Sequence, residues 1–475
     1  MVAPLQVAKE HVPLLLLVVI VLWDNYTLLV QDQAREMLVH LIHELIISKM
    51  GETADTLAKT DIEELIDQVR GNDSRVVWVY EDNSRGMDDE QVGLRIPEAM
   101  NHLVNEVVKV FSVNYPDIRE ELGRQALVWA TSCPVRHLAC RSFQLFRCIP
   151  SRLDASMLSE MLARLQNTIA DDEHDIQMFA LEILTTLKIA AEGMTSAGLM
   201  KFPQLFWSTC ACLDTANETE FQEAVAILER LLDKIEFGCP ADLMRLQDKR
   251  PAQWTGGFEG LQPLLYKGMR SSASMDQTLA TMQRLVVLPS NELLGDDSRL
   301  AFTVLANLPR FLQSFEDDTL NPNITTASAA LATVADNQGC VQLATVLQDF
   351  SVGQYRSEQN FLAQTIAAIR EWFFPALEYK VVIFLLGLVT NNSAWFKVMV
   401  MRILCVLIPE VDMRQPEFMS KGPDLISPLL RLLQTEFCPQ ALEVLDNVMV
   451  MTGTPLERHH LRMSCLLYTS DAADE

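Results

Sequence analysis

Residues Trp129–Ile149 read WATSCPVRHLACRSFQLFRCI. A helical pattern stops before Pro134 and restarts after it. Downstream of the proline the apolar or small positions are Leu138, Ser142, Leu145, Phe146 and Ile149, spaced i, i+4, i+7, i+8 and i+11. That spacing makes one stripe of an α-helix and no face of a strand. Pro134 suits a first helical turn, where its missing N–H has no partner to lose. Upstream, Ile118 to Ala130 forms a second helical pattern, with Asp117, Glu120 and Glu121 near its positive end. The stretch is therefore the junction of two antiparallel helices.

The same plan extends outward. Asp154 stands where it can cap a helix carrying Leu158, Met161, Leu162, Leu165 and Ile169. After the run DDEHD (Asp171–Asp175) comes Ile176, Phe179, Ala180, Ile183, Leu184 and Leu187, with Gly193 fitting a stop. Further pairs fall at Phe206–Leu213 with Phe221–Ile235, and at Pro13–Trp23 with Val30–Met50. Later ones are Leu300–Phe315 with Ala327–Ala335, Phe361–Phe374 with Ala376–Val389, and Phe396–Ile408 with Leu425–Leu433; Ala441–Met451 closes the series. A period of ~40 residues is that of HEAT or armadillo arrays, in which each hairpin buries its second apolar face on a neighbour. The expected class is all-α, a HEAT/armadillo-like helical-repeat solenoid. Residues 71–97, 237–262 and 316–325 read as interruptions, and Val76–Tyr80 is the one run with an extended, β-like pattern.

Composition narrows the function. The chain has 475 residues, 49% hydrophobic and 21% charged, enough for more than one compact core. A net charge of −25 argues against a sequence-independent nucleic-acid binder and against docking on anionic membranes. It fits a basic protein partner, or simply the solubility of a long helical array. None of the ten cysteines forms a CxxC pair, and no zinc spacing is present. Cysteines on apolar helical faces fit a reducing intracellular compartment. Pro13–Trp23 (PLLLLVVIVLW) is shorter than the ~20 residues of a membrane helix and reads as a buried repeat helix, with no transmembrane segment expected. The end, Cys465–Glu475 (CLLYTSDAADE), resembles a translated sequencing-adapter scar, so a fragment of a longer protein is expected.

Catalytic and metal motifs do not emerge. His40 and His43, with Glu36 and Glu44, read HxxHE rather than HExxH and lack a third ligand. Gly256, Gly257 and Gly260 (GGFEG) are backbone turns with Phe258 packing, since no GK[ST] follows. DDEHD lacks calcium-loop spacing and reads as a helix start. Cys133 and Cys140 lie near His137, but no third group orients a thiol–imidazole pair, so packing is expected. No catalytic residue, metal site or cofactor is assigned. The residues singled out are Arg136 and Arg147 on one flank of the apolar stripe and Arg141 on the other. Arg offers a planar, bidentate fork for carboxylates and phosphates. These three serve either as inter-repeat bridges, with acids such as those of Asp171–Asp175, or as contacts to a partner peptide or phosphate.

Beyond Trp129–Ile149, several blocks resemble the Furry-like cell-morphogenesis family in its fungal Mor, Tao and PAG-type branch. They are Trp23–Tyr26 with Gln33–Lys49, Asp175–Lys188, Phe202–Leu213, Trp254–Arg270 (WTGGFEGLQPLLYKGMR) and Leu288–Leu312 (LPSNELLGDDSRLAFTVLANLPRFL). The resemblance implies a non-catalytic scaffold supporting NDR-family kinases with their Mob coactivators in polarised growth and cell shape. It implies a cytoplasmic protein of the cell cortex and of sites of polarised growth. It further implies that residues 1–115 end the family's middle region, that 116–375 belong to its C-terminal conserved region, and that 376–464 add further repeats before 465–475. The competing readings are a trafficking or transport solenoid binding peptide cargo and an enzyme built on His40/His43 or Cys140. The first calls for regular Trp/Asn ladders, which the sequence lacks.

Overall fold

The computed structural model describes residues 8–23, 25, 27–49, 56–71, 98–169, 176–254, 257–316 and 321–452. Every regular element among them is helical; an isolated bridge between Asn291 and Gly295 is the sole β-type pairing. Val76–Tyr80, DDEHD and Cys465–Glu475 lie outside the described residues. The chain divides into two compact units. One runs to Ser208 and includes Ala226–Ile235; the other comprises Thr209–Val225 and everything from Glu236.

The first unit contains α1 (Val12–Val21), α2 (Leu28–Leu45), α3 (Thr56–Gly71), α4 (Glu98–Ser112), α5 (Ile118–Ser132), α6 (Arg136–Cys148), α7 (Ala155–Ile169), α8 (Ile176–Gly193) and α9 (Ser196–Lys201). The α5–α6 and α7–α8 hairpins are as expected, and Asp154 does cap α7, its Oδ1 accepting from the Met157 N–H at 2.9 Å. Pro134, however, lies outside α6. Val135 is the N-cap in extended conformation (φ −83°, ψ 106°), so the proline shapes the turn rather than the first helical residue. The apolar run of α1 is buried on nearly all sides, with Leu16, Leu17 and Ile20 fully enclosed against α2, α5 and α6. Packing of α1 on helices so distant in sequence departs from a strict nearest-neighbour ladder. No helix among the described residues is long and apolar enough to cross a membrane.

The division between units falls within α10 (Gln204–Cys212) and α11 (Glu218–Leu232). The second unit continues with α12 (Pro240–Gln247), α13 (Gln262–Leu265), a 3-10 turn at Tyr266–Arg270, α14 (Ser272–Val287), α15 (Arg299–Glu316), α16 (Pro322–Asn337), α17 (Val341–Ser351), α18 (Glu358–Phe373), α19 (Glu378–Leu388), α20 (Ala394–Leu407), α21 (Pro416–Leu432) and α22 (Cys438–Thr452). At its centre α15 is enclosed by α14, α16, α18, α19 and α20. Two expectations change. The stretch 237–262 contains a helix, α12, started by Pro240 at its first position. And α16 packs chiefly on α17, not on α15. The turn between them is a Schellman closure: Cys340 N–H donates to Ala335 O (2.8 Å) and Gly339 N–H to Asp336 O (3.0 Å), with Gly339 at φ +81°.

One close approach in this unit admits a direct test. Gly268 is buried, and a Cβ there would lie 2.1 Å from Thr278 Oγ1 and 2.4 Å from Phe221 Cε1. Both neighbours are interior, Phe221 4% exposed and Thr278 fully buried with its hydroxyl donating to Ser274 O at 2.7 Å. Gly268→Ala is therefore expected to destabilise by about 1–3 kcal/mol, read as a lowered urea midpoint.

Candidate functional site

The three arginines take different environments. Arg136, in the first turn of α6, is half-buried. Arg141 and Arg147 are interior, 1% and 4% exposed, because α6 from Ala139 to Cys148 is buried on every face. The amphipathic reading, with arginines flanking an apolar stripe, therefore does not describe this helix. Arg147 Nη2 donates to Glu182 Oε2 of α8 at 2.6 Å, and both side chains are 1% exposed. Its Nη1 donates to Glu182 O (3.2 Å) and Thr186 Oγ1 (3.0 Å). Gln144 links the ends: Arg141 Nη1 donates to Gln144 Oε1 at 2.6 Å, and Gln144 Nε2 donates to Glu182 Oε1 at 3.0 Å. Two guanidiniums and one carboxylate are thus tied through an amide between α6 and the second helix of the following hairpin. At these positions Arg141 and Arg147 present no surface to a partner.

The other sequence candidates fall apart in space. His40, His43, Glu36 and Glu44 occupy the exposed side of α2. Among the described residues no group of three or more His, Cys, Asp or Glu side chains converges as a metal cluster would. Cys140 is buried while His137 is exposed. Burial pushes the Cys148 thiol up to about 12 despite the adjacent Arg147 charge, raises Cys212 and Cys405 to about 12, and drives Cys210 higher still. These thiols stay protonated in the fold while an unfolded chain would ionise near pH 9. Their share of stability is complete below that pH and is lost as pH rises toward 12. At pH 8, Cys148 and Cys210 are expected to resist a thiol-specific chromogenic reagent in the native chain and to react fully in denaturant. Half-buried Cys133, Cys239 and Cys438 should label first.

The cavity with the most chemical variety lies in the second unit, a groove of about 500 Å³ between the Glu259–Arg270 segment, the start of α15 and α19. Its floor is aromatic. Tyr266, Phe302 and Phe384 stand with ring centroids 4.6–5.4 Å apart, in tilted and edge-to-face contacts. Burial raises the Tyr266 hydroxyl well above its ordinary value, with Glu259 and Asp296 adding to the effect. One wall is stitched backbone. Asn291 Oδ1 accepts from the N–H groups of Leu293 and Leu294 (both 3.0 Å), and Leu261 N–H donates to Leu293 O (3.0 Å). Gly257 and Gly260 have φ of +81° and +109°, as backbone turns require, and Phe258 packs edge-on to Trp254 at 5.4 Å. Arg299 pins the same wall, donating to Asp296 O (3.0 Å), Leu288 O (2.9 Å), Ser290 Oγ (3.1 Å) and Leu285 O. Across the mouth, Lys380 Nζ meets Glu259 Oε2 at 2.8 Å. Sequence reading missed this groove because the two residues of that ion pair are 121 positions apart. Its one local sign was the turn chemistry of GGFEG. The groove thus joins an aromatic floor, a hydrogen-bonded backbone wall and a charged mouth.

Two family models match the chain: that described as cell morphogenesis central region over residues 6–172, and that described as cell morphogenesis C-terminal over 203–453. The chain belongs to the MOR2–PAG1 cell morphogenesis family. Among its relatives, the cell morphogenesis protein PAG1 of Saccharomyces cerevisiae is 36% identical over 459 residues, covering 96% of this chain and 18% of that protein. The cell polarity protein mor2 of Schizosaccharomyces pombe is 28% identical over 445 residues, covering 93% of this chain and 19% of its own length. The chain thus spans about a fifth of the length of these two MOR2–PAG1 relatives. The C-terminal family match contains the whole groove, and the central-region match contains α6 with its three arginines.

Proposed function

We propose that this chain is a non-catalytic segment of a HEAT/armadillo-like scaffold acting in cell morphogenesis, and that it supports an NDR-family kinase with its Mob coactivator at the cell cortex and at sites of polarised growth. The observation that carries the reading is the near end-to-end match to relatives named for cell morphogenesis and cell polarity. The helical architecture supports it, since surfaces built from packed helix pairs bind proteins and rarely enclose reaction chemistry. The mechanism is effective concentration: partners held on one scaffold meet as if intramolecularly. The test is pull-down and calorimetry of the purified chain, and of the full-length relative, with a recombinant NDR kinase–Mob complex at moderate salt. Saturable binding is the expected result; absence of association with both forms would overturn the reading.

A further inference from the structure

We propose that the groove floored by Tyr266, Phe302 and Phe384 docks an extended segment of a partner protein that presents an aromatic side chain next to a carboxylate. Charge selects the carboxylate. The groove carries three cations, and two are already engaged: Lys380 by Glu259, and Arg299 by backbone carbonyls. The third, Arg270, is exposed and makes no hydrogen bond or ion pair with the described residues. Of the two carboxylates that line the groove, Glu259 meets Lys380 and Asp296 accepts from Ser298, and neither pairs with Arg270. Its guanidinium lies over Gly387 of α19, where a built Cβ would sit 3.4 Å from Nη2. The absence of a side chain at Gly387 thus leaves room for the guanidinium at the groove edge, where its fork can receive a carboxylate.

The rest of the groove selects a peptide. The aromatic floor and half-exposed Ile383 (39%) offer an apolar seat, and about 500 Å³ accommodates one or two large side chains. Gln262 lines the groove, is 1% exposed, and has no partner for its Oε1. Its amide is held in one orientation, Nε2 donating to Arg299 O (3.0 Å) and Thr303 Oγ1 (2.7 Å). The Thr303 proton is itself committed to Arg299 O at 2.7 Å, so flipping the amide would only lose bonds. That acceptor is enclosed in the free chain, so it meets an N–H donor, which a peptide backbone or indole supplies, only once the lining side chains move aside on docking. Nucleic acid would bring phosphate to Arg270 but is opposed by the net charge of −25.

This inference does not use the kinase reading, and its test contains no kinase. A phage-displayed library of random eight-residue peptides is panned on the 475-residue chain, and enriched peptides are re-measured by fluorescence anisotropy. Enrichment of an aromatic residue adjacent to Asp or Glu is expected. Affinity should fall at least tenfold with Arg270→Glu, fall less with Arg270→Lys, which keeps the charge and loses the fork, and fall with Ile383→Asp. Arg270 and Ile383 are surface positions, so thermal melting of each variant should match the parent. No enrichment, enrichment without the acid, or peptides indifferent to Arg270→Glu would each overturn the proposal.

Discussion

Glu182→Ala is expected to cost the α6–α8 packing about 3–5 kcal/mol. The size follows from what the substitution leaves behind. Arg147 and Glu182 are both 1% exposed at their side chains, and the carboxylate serves two donors at once, Arg147 Nη2 and Gln144 Nε2. Remove it and a guanidinium stays inside the protein with only Thr186 Oγ1 and the Glu182 carbonyl for company, while the Gln144 amide loses its acceptor. Hydrogen exchange of α6 and α8 peptides is the appropriate readout, because it reports the local opening free energy without requiring the chain to unfold in one step. Arg147→Met with Glu182→Leu removes both charges and should recover most of the loss, leaving a deficit of about 1–3 kcal/mol for the stranded amide. If Glu182→Ala left exchange unchanged, the network would be an incidental contact.

The same network shows where sequence reading stops. The period of α6 was legible, and so was its hairpin with α5, because apolar residues mark the helix and the proline marks the break. The direction of the arginines was not. A bridge to an acid of the next repeat is one of the two readings given to these arginines, and Arg147 makes one, to Glu182 of α8; what the pattern does not show is that Arg141 and Arg147 are buried, with Gln144 between them. The acid involved, Glu182, sits between Leu181 and Ile183, where the pattern gives no reason to single it out. Helix α14 shows a second blind spot. It buries Ser274, Thr278 and Thr281 between Met275, Leu279 and Met282, so its apolar period is diluted by hydroxyls that return to helix carbonyls, Ser274 Oγ to Gly268 O and Thr278 Oγ1 to Ser274 O. By contrast α17, with Leu343, Ala344, Val346, Leu347 and Phe350 buried, carries a plain helical signal in only eleven residues. Short length, not ambiguous chemistry, conceals it.

The groove was illegible for a different reason. Its chemistry exists only after segments around Glu259, Arg299 and Lys380 are brought together, and none carries a motif alone. What the sequence displayed was one device that holds those segments, the glycine turns of GGFEG; Asn291 closing its loop shows only in the structure. Turn residues thus pointed to a built backbone wall without revealing what faces it.

Phe361→Ala is expected to be as damaging as the loss of Glu182, about 3–5 kcal/mol, though by an apolar route. Phe361 is fully buried. Its ring stacks on Phe350 of α17 at 4.6 Å, and meets Phe315 of α15 at 5.8 Å and Phe311 at 6.4 Å, so one side chain joins three helices. It also fixes how α18 begins. Ser357 caps the helix, accepting from Asn360 N–H, and Tyr355 folds back onto Phe361 at 5.2 Å in a staple-like contact. Truncation therefore opens a cavity that rigid rings on three sides cannot fill and frees the chain entering α18. Hydrogen exchange in α15, α17 and α18 should accelerate together, whereas Trp372→Ala, the same helix's 51% exposed aromatic, should shift stability by no more than about 0.5 kcal/mol. Equal effects from the two substitutions would mean that ring size, not the junction of three helices, sets the cost.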